Sequence, residues 1–240
     1  MRILAINHQH DAGPGVFAEA IRARGDTLDE WDLAEDEGAP GDPPADPFGY
    51  DAVMTFGGAM HADQDDGIPW IVPERALLRD LLAAEMPLLG ACLGAQLLAQ
   101  AAGGSVKRMT EPEIGWIDVE VTADGSSDPL LGALAPGFEG FNWHSYECVL
   151  PAGAAILARS ETCVQAFRLG ERAYGIQFHA EVSSPDAYKW IDEWDEDEDA
   201  VRVGLDHVAL RAETRGAIAS WNETGRALCG RFLDAIAVSV

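Results

Sequence analysis

Apolar residues follow two rhythms along this chain. Residues 2–7, 51–56 and 87–91 are short, nearly unbroken apolar runs, as expected of strands covered on both faces. Residues 27–33 alternate acidic with apolar positions, the pattern of a half-exposed strand. Between these runs the spacing becomes helical. A helix is expected after Gly13-Pro14-Gly15 and ends near Gly25. A second covers residues 68–84, with Pro69 and Pro73 tolerable only near its start. A third covers residues 93–102 and is stopped by Gly103-Gly104. This β-α-β-α-β order predicts an α/β fold, a central and mostly parallel sheet with helices on both faces.

The second half changes character. Residues 115–122, 137–143, 154–160, 164–169 and 172–178 read as strands separated by turns, extending or flanking the same sheet. From Pro185 the pattern is helical again, and residues 205–237 give one or two closing helices. Residues 192–199 hold seven acidic positions in eight, interrupted only by Trp194, and read as a solvated loop or helix end. With no internal repeat and no dividing linker, residues 1–240 are expected to form a single domain, with 185–240 a helical C-terminal extension.

Charge narrows the partners. The formal net charge is −25, from 41 acidic and 16 basic residues, and the only lysines are Lys107 and Lys189. Such a surface repels phosphate backbones and anionic lipid, so neither nucleic acid nor membrane is an expected partner. The apolar run after Met1 is too short for a signal peptide, no stretch has the length of a membrane span, and a cytoplasmic location is expected. Cys92, Cys148, Cys163 and Cys229 are irregularly spaced without a CxxC pair, so no disulfide framework or zinc site is expected. No phosphate loop of the GxxxxGK type occurs, and no cofactor is expected.

Three segments carry candidate chemistry. Gly90-Ala91-Cys92-Leu93-Gly94 sets a cysteine between a strand and a helix, the layout of a nucleophile elbow. The flanking glycines keep the turn uncrowded, and the helix N-terminus favours a thiolate. Gln177-Phe178-His179-Ala180-Glu181 brings a histidine 87 residues after Cys92. If it is extended, His179 and Glu181 share one side, so the carboxylate can fix the imidazole tautomer and free the other nitrogen for the cysteine's proton. Phe56-Gly57-Gly58-Ala59 closes a third strand on the same sheet edge, where bare glycines can present N–H groups to an oxyanion.

In these segments, over nearly the whole chain and in order, the sequence resembles the class I (triad-type) glutamine amidotransferases. The blocks Glu113–Trp116, Asn142–Tyr146 and Gln165–Arg168 are similar to the GMP-synthase-like, stand-alone branch of that family. The resemblance implies a flavodoxin-like fold and a catalytic triad of Cys92, His179 and Glu181. Backbone N–H groups of Gly58 and Leu93 would form the oxyanion hole, and Gly57, Gln96, His144 and Ser145 would bind substrate. It implies a γ-glutamyl substrate, glutamine or a relative, cleaved through a cysteine thioester. Ala59 and Ala180 stand where the family often has proline, which loses stiffness but no reacting group. Many members carry an ATP-using synthetase domain; with the chain ending at Val240, none is expected here, and a separate ammonia-accepting synthetase subunit is the implied partner of one version. Free-standing γ-glutamyl hydrolysis is the other. A non-catalytic regulatory protein keeping the fold is the rival reading, and a generic Cys-His peptidase a third. Substrate choice is expected to lie in loops 38–49 and 61–67.

Overall fold

In a computed structural model, residues 1–33 and 43–237 are described; the first part of the 38–49 loop lies outside them. Nine strands form one sheet in the order β2-β1-β3-β4-β9-β8-β7-β5-β6. They are β1 (Arg2–Asn7), β2 (Thr27–Asp32), β3 (Ala52–Thr55), β4 (Leu88–Ala91), β5 (Ser105–Val121), β6 (Gly137–Val149), β7 (Ala155–Arg159), β8 (Val164–Leu169) and β9 (Ala173–Ile176). The helices are α1 (Gly15–Ala23), α2 (Ile71–Ala83), α3 (Leu93–Ala101), α4 (Ala123–Ser127), α5 (Ser184–Asp192), α6 (Glu198–Val203) and α7 (His207–Ala237).

The neighbours β2, β1, β3, β4 and β9 run parallel. The remaining pairs are antiparallel. Connection length accounts for part of the change: α1 and α2 cross over between parallel strands, whereas β7, β8 and β9 follow one another through turns too short for a parallel crossover.

Side chains leave the parallel strands alternately for two cores. Ile3, Ala5, Ala52, Met54, Leu89 and Ala91 face one cluster, with Phe17, Trp221 and Phe232. Leu4, Ile6, Val53 and Leu88 face the other, with Leu78, Leu81 and Leu97. Burial on both faces is why β1, β3 and β4 are almost wholly apolar, unlike the edge strand β2. The 31-residue α7 belongs to the first core: Leu210, Ile218, Leu228, Leu233 and Ile236 are buried in it. No helix among the described residues is long and apolar enough to cross a membrane.

Two expectations change. The strand expected over residues 115–122 begins at Ser105, and the strand expected over 137–143 runs on to Val149; together they form a long ribbon with a register break between Arg108 and Glu113. The strand expected over residues 172–178 stops at Ile176, so His179 and Glu181 stand beyond the sheet.

Candidate active site

The parallel strands β1, β3, β4 and β9 end at one edge, where ligands of open α/β sheets bind. Cys92 stands there between β4 and α3 at φ 49° and ψ −108°, a left-handed conformation that a side chain rarely adopts. Its surroundings hold it in place. The Cys92 N–H donates to Ile176 O (2.8 Å), Gln96 N–H returns to Cys92 O (3.1 Å), and Gly94 N–H reaches Phe56 O (3.0 Å). A Cβ at Gly90 would lie 2.6 Å from Gly94 O, and one at Gly94 would lie 2.2 Å from Thr55 O, so the turn closes only over glycines.

His179 and Glu181 meet although they are not on a strand: His179 Nδ1 lies 2.7 Å from Glu181 Oε1, both side chains being buried. Fixed carbonyls replace the strand register. Trp221 Nε1 donates to His179 O (2.8 Å) and Asn222 Nδ2 to Val182 O (2.7 Å). Val16 N–H donates to Glu181 O (2.8 Å). Gly225 packs so closely on Ala180 O that a Cβ there would be 1.9 Å away. Three of these four anchors belong to α7. The ring of Trp190 stands edge-on to His179, its centroid 4.9 Å away.

Burial presses the His179 imidazole toward neutrality, but the facing charges of Glu181 and Cys92 outweigh it and raise its pKa to about 10. With Nδ1 taken by Glu181, Nε2 is the nitrogen left for Cys92. The other cysteines differ. Burial pushes the thiols of Cys163 and Cys229 up to about 12, and that of Cys148 higher.

The Phe56–Ala59 loop passes beside this pair. A Cβ on Gly57 would sit 3.0 Å from His179 Cε1 and 3.7 Å from Cys92 Cβ, so a bare backbone leaves room for both. Ala59 N–H donates to Gln9 Oε1 (2.8 Å), which ties the loop to the end of β1.

A cavity of about 520 Å³ opens over Cys92 and His179, and Gly58, Leu93, Gln96, His144 and Ser145 also line it. Glu181 lies behind His179, and Gly57 touches the pair without lining the cavity. Gln96 is itself held, its Nε2 3.3 Å from both Tyr146 O and Gln177 Oε1. Burial works against the Asp199 charge, but Ser145, Arg202 and Arg108 hold its carboxyl below the ordinary range.

The wall also holds residues that no local pattern marked. The acidic run 192–199, expected to be a solvated loop or helix end, folds over the cavity and contributes Glu193, Glu196, Asp197, Glu198 and Asp199. Asp197 Oδ2 accepts from Trp143 Nε1 (2.7 Å) while Oδ1 caps α6 through Asp199 N–H (2.8 Å). Asp199 accepts two bonds from Arg108 Nη2, at 2.7 and 2.9 Å. Arg108 lies 91 residues from Asp199 and Trp143 54 residues from Asp197, so the sequence alone gives no signal of these contacts.

Behind His144 lies a second Cys/His/Glu cluster. Donor atoms of Glu113, His144 and Cys163 lie within 4.8 Å of one another, close enough to hold a metal ion. Protons already fill that role. Glu113 Oε2 accepts from Gln165 Nε2 (2.5 Å) and the Cys163 thiol (3.4 Å), with His144 Nε2 3.0 Å away, and Oε1 accepts from the Thr162 hydroxyl. Burial works against the Glu113 charge, but its donors hold the carboxyl down at about 2. Cys163 does not line the cavity.

Known proteins share this architecture. A family model described as glutamine amidotransferase class-I matches residues 38–191. A putative glutamine amidotransferase-like protein of Salmonella typhimurium, YfeJ, is 28% identical over 100% of this chain and 98% of its own. A glutamine-hydrolysing GMP synthase subunit of Halobacterium salinarum is 35% identical over 59% of this chain and 71% of its own. A gamma-glutamyl-L-1-hydroxyisopropylamide hydrolase from a Pseudomonas species is 30% identical over 57% of this chain and 49% of its own. A glutamine amidotransferase of Thermotoga maritima, solved as a crystal structure, superposes with a TM-score of 0.84 at 28% identity, covering 97% of each chain.

Proposed function

The chain belongs to the class-I glutamine amidotransferases, and from that premise we propose that it hydrolyses a γ-glutamyl amide through a thioester on Cys92. One observation carries the reading: a cysteine on a strained elbow and a histidine line one cavity, and a carboxylate stands behind that histidine, 2.7 Å from its ring.

The chemistry follows from the protonation states. An imidazolium at His179 stabilises the Cys92 thiolate, which attacks the substrate's side-chain carbonyl carbon and forms a C–S bond. The carbonyl π electrons move onto oxygen, and the N–H groups of Gly58 and Leu93 receive that charge. Collapse breaks the C–N bond as His179 Nε2 gives its proton to the departing nitrogen, so ammonia or an amine leaves neutral. Neutral His179 then takes a proton from water as the water attacks the thioester. The C–S bond breaks, free glutamate departs, and the Cys92 thiolate and the imidazolium are restored. Glu181 orients the ring throughout and balances its charge. Gln96, His144, Ser145 and the backbone at Gly57 hold the glutamyl moiety, and no cofactor enters.

The nitrogen has two fates. Relatives named as glutamine-hydrolysing GMP synthase subunits support delivery of ammonia to a separate synthetase. The relative named as a hydrolase of a γ-glutamyl hydroxyalkylamide supports release of a free amine. A panel of γ-glutamyl amides, from glutamine to N-alkyl derivatives, separates them by the products released. Loss of all release in Cys92→Ala is expected; release by that variant would overturn the mechanism.

A further inference from the structure

A buried ion pair beside the Phe56–Gly58 loop has no part in the steps above. His8 follows β1, Thr55 ends β3, and Glu74 stands in the first turn of α2; all three are at most 1% exposed. His8 Nε2 lies 2.7 Å from Glu74 Oε2, and its Nδ1 lies 2.9 Å from Phe56 O. Thr55 Oγ1 donates to Glu74 Oε1 (2.7 Å), and the His8 ring stacks on Trp70 with centroids 4.7 Å apart. Both ring nitrogens therefore face acceptors, an arrangement satisfied when both carry protons. Burial opposes that charge, yet Glu74 and the carbonyls of Phe56 and Gly57 raise the pKa of His8 above its ordinary value.

The position of the Phe56 carbonyl gives the pair its consequence. Phe56 O accepts from His8 and also from Gly94 N–H at the start of α3, which ties the loop to the elbow. A Cβ on Gly58 would lie 3.0 Å from His8 Cβ, so the loop runs directly against this residue. In a trans peptide the N–H points opposite to the C=O. Holding Phe56 O toward His8 and Gly94 therefore sends the Gly57 N–H the other way and fixes where the next peptide, which carries the Gly58 N–H, begins. We propose that His8, clamped by Glu74, is a positioning residue that fixes the Phe56–Gly57 peptide and so sets the path along which the following Gly58 N–H meets the oxyanion. This rests on the thioester reading for its reaction, but it assigns a separate element of the machinery.

Two amide variants separate positioning from mere packing. In His8→Asn the amide nitrogen can occupy the place of Nδ1 and still donate to Phe56 O. In His8→Gln it can occupy the place of Nε2, satisfying Glu74 while leaving Phe56 O without that donor. Because losing an oxyanion donor costs about 10²–10³ in turnover, His8→Gln is expected to lose roughly 10- to 100-fold in kcat with KM within about 3-fold. His8→Asn should stay within about 5-fold of wild type on the same scale. Alkylation of Cys92 by iodoacetamide builds no oxyanion, so its rate should change little in either variant. Equal losses in both variants, no loss in either, alkylation falling in step with kcat, or two unfolded variants would each overturn the proposal. Wild type and Cys92→Ala are assayed beside them: equal release by those two sinks the thioester reading instead, so the failures are distinguishable.

Discussion

Trp221 donates its indole N–H to the carbonyl oxygen of His179 across 2.8 Å, linking the middle of the last helix to the residue that faces Cys92. With Asn222 on Val182 O and Gly225 against Ala180 O, one face of α7 sets the path of the His179–Val182 segment. That support stands where the family often has a proline and this chain has Ala180.

Trp221→Phe keeps an aromatic ring but leaves a buried carbonyl unpaired, a loss of about 1–3 kcal/mol. A lower melting temperature and a several-fold fall in kcat with KM unchanged are expected. Gly225→Ala should be more damaging, because its Cβ would lie 1.9 Å from Ala180 O. Wild-type kcat in both variants would show that the segment holds itself.

The second prediction concerns pH. The pKa of His179 is raised to about 10 despite burial, by Glu181 and Cys92. A raised pKa means that the stabilisation from its charge is complete below its ordinary value of about 6.5 and is lost as pH rises through about 10. The alkaline limb of kcat/KM should accordingly fall near pH 10. In Glu181→Gln that limb should move toward neutrality, with KM nearly unchanged. A rise in KM at constant kcat would put Glu181 in contact with substrate instead.

Glu113 has the opposite sign. Its carboxyl is held at about 2 against an ordinary 4.5, so the stability it supplies is present above 4.5 and lost as pH falls toward 2. Glu113→Gln is expected to destabilise by on the order of 3 kcal/mol at neutral pH, less in acid. Denaturant titrations at pH 7 and pH 3 check it. An equal deficit at both would mean that shape, rather than charge, is what the cluster needs.

Much of this site is legible in the chain because its parts are local. The apolar runs of β3 and β4 each end in an unusual turn, Phe56-Gly57-Gly58 and Ala91-Cys92-Leu93. A parallel sheet brings such turns to one edge without further information. The His179–Glu181 pair is expected from strand alternation, whereas anchors in α7 and α1 set its geometry. Trp221 and Asn222 lie about 40 residues beyond that segment and look like ordinary helix positions. The acidic run is solvated as expected, with Asp192, Glu193, Asp195, Glu196 and Glu198 exposed, but its place at the cavity is not legible. That place is set by the distant Arg108 and Trp143, which hold Asp199 and Asp197. The β5–β6 ribbon is longer than its apolar pattern suggests because residues 107–113 are mainly polar, as suits an exposed strand.

The most direct measurement is rapid acid quench of the protein turning over a γ-glutamyl amide, followed by mass spectrometry of its cysteine peptides. One γ-glutamyl acyl group is expected on the Cys92 peptide, formed and lost at rates matching turnover. It should accumulate when hydroxide or water attack is slowed, and be absent from Cys92→Ala. Cys148, Cys163 and Cys229, whose thiols burial keeps neutral, should carry none. An acyl group on Cys163, or turnover persisting in Cys92→Ala, would contradict the account.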